Sequence, residues 1–222
     1  MHYLPGARSM TTIKHTTRWL AGMKASQTGL LAACVVFLTA CSSGPPPKLY
    51  LLDSPAQDTV AVELAKKADI QSLGMSPVTL PGYANDAQIA SLNIDGTISH
   101  NDRHRWAEDP DDALTRVLSE RLRAHADTTV LIEPWPRDYA PIARVEVSFD
   151  KLLREPSGGA LMVGQILLLS GNGRTLSKAV PFNLSLAAVD ESNQAFFAAV
   201  ARGVDDIARL AVEQIQALSA KA

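Results

Sequence analysis

The sequence predicts a single α/β domain of the α+β kind, a mixed, largely antiparallel sheet with one mid-chain helix and a long C-terminal helix packed on it. Three observations predict it. Short runs alternate apolar and polar residues between turn signals, as half-buried strands do. Two stretches, Leu114–Leu122 and Phe197–Leu218, carry apolar residues at helical spacing. No internal repeat and no second linker divides residues 48–222.

The elements follow in order. Leu49–Leu52 is a short apolar strand, and residues 53–67 are polar and alanine-rich, a loop with a helical turn. Ile70–Leu80 reads as a strand closed by Pro81-Gly82. Ile89–Ile94 alternates, Asp95-Gly96 turns, and Thr97-Ile98-Ser99 returns, a hairpin in which both turn positions need φ > 0. Asp109 caps the next helix, Pro110 suits its first position, and Asp111 and Asp112 complement its dipole. Leu114, Val117, Leu118 and Leu122 form its buried face, with Arg116, Glu120 and Arg123 on the solvated side. Strands are expected at Thr129–Ile132, Arg144–Asp150 and Ala160–Leu169. A further one carries Val180, Phe182, Leu184 and Leu186 on one face. Pro181 donates no ladder hydrogen bond, which places that last strand at an edge or a bulge. The closing helix begins near Asp190 with a stripe of Phe197, Val200, Val204, Ile207, Ala211, Ile215 and Leu218.

Composition narrows the function classes. The 222 residues are 46% hydrophobic, with 21 basic against 23 acidic side chains and two cysteines. A formal charge of −2 supplies no basic field for nucleic acid. Two cysteines build neither a disulfide-dense scaffold nor a four-cysteine zinc site.

Residues 1–40 carry Arg8, Lys14, Arg18 and Lys24 and no acid, then an uncharged run from Ala25 to Ala40. That run is shorter than the roughly 20 apolar residues of a spanning helix, and its basic, apolar and small-residue regions read as a secretory signal peptide. Met23 also begins a compact signal, so translation is equally compatible with a start there. Leu38-Thr39-Ala40-Cys41 resembles the bacterial lipobox. The resemblance implies cleavage before Cys41, a diacylglyceryl group on its sulfur and an N-acyl chain such as palmitate on its amine. Residues 41–47 are then a lipidated cysteine and a Ser/Gly/Pro tether, and several acyl chains at about 0.8 kcal/mol per buried CH₂ make the anchor permanent. Ser42 is not the aspartate that resembles an inner-membrane retention signal, which points to the outer membrane, facing the periplasm. The mature chain of 182 residues carries 17 basic and 23 acidic residues, a formal charge of −6, and no free thiol.

No constellation supplies catalytic residues. His100-x-x-x-His104 has a zinc-like spacing, but it lies between a hairpin and a helix cap, and Arg103 and Arg105 oppose a cation. It reads as a solvated polar loop, so no metal is expected. His125 suits a helix C-terminus. Ser170 and Ser185 lack a nucleophile elbow, and Gly158-Gly159 and Gly171-Asn172-Gly173 are turn glycines rather than phosphate loops. Trp106 and Trp135 are weak interface candidates, each read first as a plug of the domain's own core.

Three stretches behind the lipobox resemble the ABC-type transport auxiliary lipoproteins, the family of paraquat-inducible protein C. They are Ser76-Pro77-Val78-Thr79-Leu80-Pro81-Gly82-Tyr83, then Arg105-Trp106-Ala107-Glu108-Asp109-Pro110 running into Leu114-Thr115-Arg116-Val117-Leu118, and the alanine-rich C-terminal helix. They follow a Tyr50-Leu51-Leu52 strand, and the resemblance covers most of residues 48–219. Leu49-Tyr50, Ala84 and Ile89-Ala90-Ser91-Leu92 depart from the family pattern. The resemblance implies a non-enzymatic outer-membrane component that docks with an MCE-domain protein of an ABC lipid transporter, and a homo-oligomeric ring in some members. It implies no cofactor beyond the lipid on Cys41. The alternative is a periplasmic lipoprotein that itself binds a small hydrophobic ligand.

Overall fold

The computed structural model describes residues 45–52 and 70–220. The leader, Cys41 and the loop expected at residues 53–67 lie outside the described residues. Among the described residues there are eight strands: β1 (Lys48–Tyr50), β2 (Ser72–Met75), β3 (Gln88–Leu92), β4 (Ile98–Trp106), β5 (Thr129–Ile132), β6 (Ala143–Arg154), β7 (Ala160–Ser170) and β8 (Leu176–Leu186). Helix α1 spans Pro110–Ala126 and α2 spans Asn193–Ser219.

All eight strands join one mixed sheet that forks at β6. Along one edge β6 pairs antiparallel with β7 from Ala143↔Ser170 to Arg154↔Ala160, and β7 pairs antiparallel with β8. The other edge of β6 is shared. Parallel β2 takes its start, from Leu73↔Ala143 to Met75↔Val145, and β3 meets its end at Ser91↔Arg154. β5 adds parallel to β2, while β4 pairs antiparallel with β3 and carries β1 parallel on its far side. The longest ladders are antiparallel, as expected. β8 has β7 as its strand neighbour in the sheet, which gives Pro181 the edge position its missing donor requires.

Four local expectations are corrected. The strand read as Ile70–Leu80 is regular only over Ser72–Met75. Pro77 breaks the ladder, although Ser76 N–H still donates to Val145 O (3.1 Å) and Thr79 N–H to Val147 O (3.1 Å). β6 runs past Asp150 because a bulge there absorbs one residue and returns Leu152 to the core face opposite Met162. The stretch from His100 to Arg105, expected as loop, is strand β4, since Trp106 N–H donates to Ala87 O (2.7 Å) and its neighbours pair with β1. The hairpin turn is a three-residue loop rather than a two-residue one. Gly96 N–H donates to Asn93 O (3.0 Å), Asn93 N–H to Thr97 O (2.8 Å), and only Gly96 takes positive φ (85°) in the turn.

Both helices pack into the core on one side of the sheet. Val145, Val147 and Phe149 of β6 and Met162, Ile166 and Leu168 of β7 point into it at alternate positions. The expected stripe of α2 is buried from Phe197 to Ile215, with Leu218 packed at the margin. Leu114, Val117, Leu118 and Leu122 of α1 are likewise buried. Between the helices and the sheet, Val78, Leu114, Leu118, Phe149, Val204 and Ile207 meet with no space for a water. His125 in the last turn of α1 lies 2.9 Å from Asp205 of α2, with Arg121 Nε 3.9 Å from the same carboxylate. α1 ends where Asp127 turns left-handed at φ 53°. Among the described residues no helix is long and apolar enough to cross a membrane.

At Gly203 helix α2 lies close against the side chains of the sheet. A Cβ there would overlap Met162 Sδ and stand 2.6 Å from Leu186 Cδ1. Gly203→Val should lower the unfolding free energy by about 2–3 kcal/mol in denaturant titrations. Gly203→Ala should cost less, because about 1 kcal/mol of helix propensity returns. At the hairpin, the Thr97 hydroxyl (2.7 Å) and its backbone N–H (3.0 Å) donate to the Asp95 carboxylate and hold it below its ordinary range. Because the folded value is the lower one, this support is full above the unfolded value of about 3.9 and is lost as pH falls through the folded value. The Thr97 amide resonance should therefore shift at acidic pH, and Asp95→Asn should abolish that titration.

Candidate functional site

Of the residues singled out in the sequence, Tyr50, His104 and Trp106 meet where β1 and β4 pair. Lys48, Leu49 and Tyr50 of β1 pair with His104, Arg105 and Trp106 of β4. Tyr50 and Trp106 face the core, where Phe197 of α2 stacks on Tyr50 (centroids 5.4 Å apart, 12° between planes). Trp106 meets the same ring edge-on at 4.5 Å. The Tyr50 hydroxyl and His104 Nδ1 are hydrogen-bonded at 2.8 Å. Trp106 is buried and acts as a plug: it ties the first strand of the domain to the start of its last helix.

Hydrogen bonds join the separate motifs around this plug. Val78 N–H, which Pro77 turns away from the sheet ladder, donates to the buried Thr115 Oγ1 of α1 (2.8 Å). Thr115 in turn donates to Asp111 O at 2.6 Å. Arg116 pairs with Glu108 at 2.5 Å and donates to Leu52 O at 3.2 Å, so it is not a free solvated cation. Ala107 N–H donates to Tyr50 O (2.8 Å). Asp109 occupies the N-cap position, yet its side chain makes no cap hydrogen bond. Pro81, Gly82 and Tyr83 lead into a 3-10 turn (Gly82–Ala84), and the Tyr83 hydroxyl donates to Asp150 O at 3.3 Å. Burial pushes that hydroxyl up from its ordinary value, so it remains a donor at neutral pH.

Trp135 lies on the opposite face of the sheet. Its ring covers Gly74, where a Cβ would stand 2.7 Å from Cη2, and Tyr139 packs against it at 6.1 Å. The Arg144 guanidinium stands 5.8 Å from its centroid while pairing with Glu133 (2.8 Å) and Glu146 (3.0 Å). Trp135 therefore covers the helix-free face locally. Its signal in sequence, a tryptophan between two prolines, does not reveal which face it covers.

The two candidate metal-type histidines are not brought together. His100 Nε2 is bonded to Tyr83 O (3.0 Å), whereas His104 is held by Tyr50. Among the described residues no group of three or more His, Cys, Asp or Glu side chains is arranged to hold a metal. An apolar recess of about 350 Å³ is an open groove between Ile142, Leu168, Ile215 and Leu218.

The family model described as ABC-type transport auxiliary lipoprotein component matches residues 50–211. The chain belongs to that family. Among solved structures, an uncharacterized protein superposes with a TM-score of 0.62 at 17% identity, covering 77% of this chain and 99% of its own. A protein from Xanthomonas campestris, of the family DUF330, superposes with a TM-score of 0.59 at 11% identity, covering 80% of this chain and 96% of its own. At these identities the likeness establishes the fold. No curated protein matches the sequence. Within this auxiliary lipoprotein the ordered motifs are linked in space: Val78 of the first bonds Thr115 of the second, and Trp106 of the second packs on Phe197 of the third.

Thr115→Val keeps the volume of Thr115 but orphans the Val78 amide. It should cost about 1–3 kcal/mol in chemical denaturation, with the circular dichroism spectrum of the folded state unchanged.

Proposed function

We propose that this auxiliary lipoprotein is a non-catalytic docking component of an MCE/ABC-type system for intermembrane lipid transport, anchored in the outer membrane and facing the periplasm. The family supplies the transport-auxiliary role. The observation that carries the anchor is the spacing between the lipobox and the fold. Only Ser42–Pro47 separate Cys41 from β1, so a lipid at Cys41 holds the domain on a short tether. Diacylglyceryl and N-acyl groups on Cys41 supply the membrane affinity, and an MCE-domain protein is the docking partner. A homo-oligomeric ring is compatible with this role and follows from the family resemblance. The small-ligand alternative gains no support from the core, which is filled where the helices meet the sheet.

Two measurements test the reading. Photo-crosslinking in intact envelopes should capture an MCE-domain protein, and recovery of only unrelated envelope proteins would overturn the docking role. Cys41→Ala should shift the protein from the outer-membrane fraction to another fraction. Unchanged outer-membrane fractionation, or a mature mass without acyl groups, would overturn the anchor.

A further inference from the structure

The edge where the chain leaves for the tether exposes both apolar and basic side chains. Leu49 is 62% exposed and Leu51 45% exposed, although both belong to the segment that begins the fold. Tyr50 and Trp106 point into the core, so Leu49 and Arg105, one residue earlier on the paired strands, point away from it. Arg103 is exposed on the same face as Leu49 and Arg105, while Lys48, also exposed, lies at the start of β1 on the face of Tyr50. Two arginines thus share a face with the exposed Leu49, with Lys48 at the adjoining strand end, on a mature chain whose formal charge is −6. The acid within the group is Asp102, 3.6 Å from Arg105, with its side chain 83% exposed.

We propose that this β1–β4 edge rests on a lipid surface bearing anionic headgroups. The proposal depends on the lipid anchor at Cys41 argued above. Seven residue steps join Cys41 to Lys48, a reach of at most about 25 Å, so the edge nearest the tether is the part of the domain held nearest the bilayer. The charge is of the right sign. Each basic side chain near an anionic surface favours contact by about fivefold, and the anchor converts that weak preference into an intramolecular one. Leu49 and Leu51 then meet the interfacial layer while the cations stay at headgroup level, as in other amphipathic surface contacts. Asp102 opposes the contact and sets its strength.

The test uses the mature lipoprotein purified from membranes and inserted into vesicles, either rich in phosphatidylglycerol or of pure phosphatidylcholine. Amide hydrogen exchange at residues 48–51 and 103–106 should slow by about tenfold or more on the anionic vesicles alone. High salt should reverse the effect. Lys48→Glu combined with Arg103→Glu, both exposed, should abolish it, and Asp102→Asn should strengthen it. Equal exchange on both vesicles, with the protein floating on each, would overturn the docking while leaving the anchor intact. Protection that appears only when a partner protein is added would overturn it too. Failure to float with either vesicle would overturn the anchor, and this proposal with it.

Discussion

The seating of α2 on β7 and β8 is the constraint on which the other contacts depend. This helix of 27 residues, about 40 Å long, buries one stripe from Phe197 to Ile215. Gly203, with no Cβ, leaves room there for the ends of the Met162 and Leu186 side chains. With α2 in place, α1 packs beside it through Leu114, Leu118, Val204 and Ile207, and Asp205 receives His125 and Arg121 across the helix seam. Displacing α2 would expose the inner face of the sheet and remove the support of α1 together, so the helices and the sheet share one hydrophobic core.

The start of the same helix governs the region near the tether. Phe197 receives both Tyr50 and Trp106, so β1, only three residues long, is held by ring contacts as well as by its ladder with β4. So short a parallel edge strand has little stability of its own.

The motifs that resemble the family read as local features one by one, and their common purpose appears only in space. Pro77 interrupts the ladder between β2 and β6, and the amide it displaces, at Val78, is satisfied by a threonine hydroxyl from α1. Glu108, just before the helix cap, balances Arg116 two turns later, and Arg116 also satisfies Leu52 O. A buried amide must find a partner, which couples the two motifs more tightly than their separation in sequence suggests.

Much was legible in one dimension because it depends on local periodicity and local stereochemistry. The helical stripes, Pro110 at a helix start, the edge position of Pro181 and the alternation of β6 belong to this class. Other features depended on neighbours distant in the chain. The residues His100–Arg105 read as loop from their place between a hairpin turn and a helix cap, yet pairing with β3 and, at His104 and Arg105, with β1 makes them strand. Pairing also carries β6 through its bulge and forks the sheet by dividing one edge of β6 between β2 and β3. The face that Trp135 covers and the partner of His125 were likewise settled by packing. Periodicity states that a residue is buried or exposed. Only long-range pairing and packing decide what it is buried against, because that energy belongs to two segments at once.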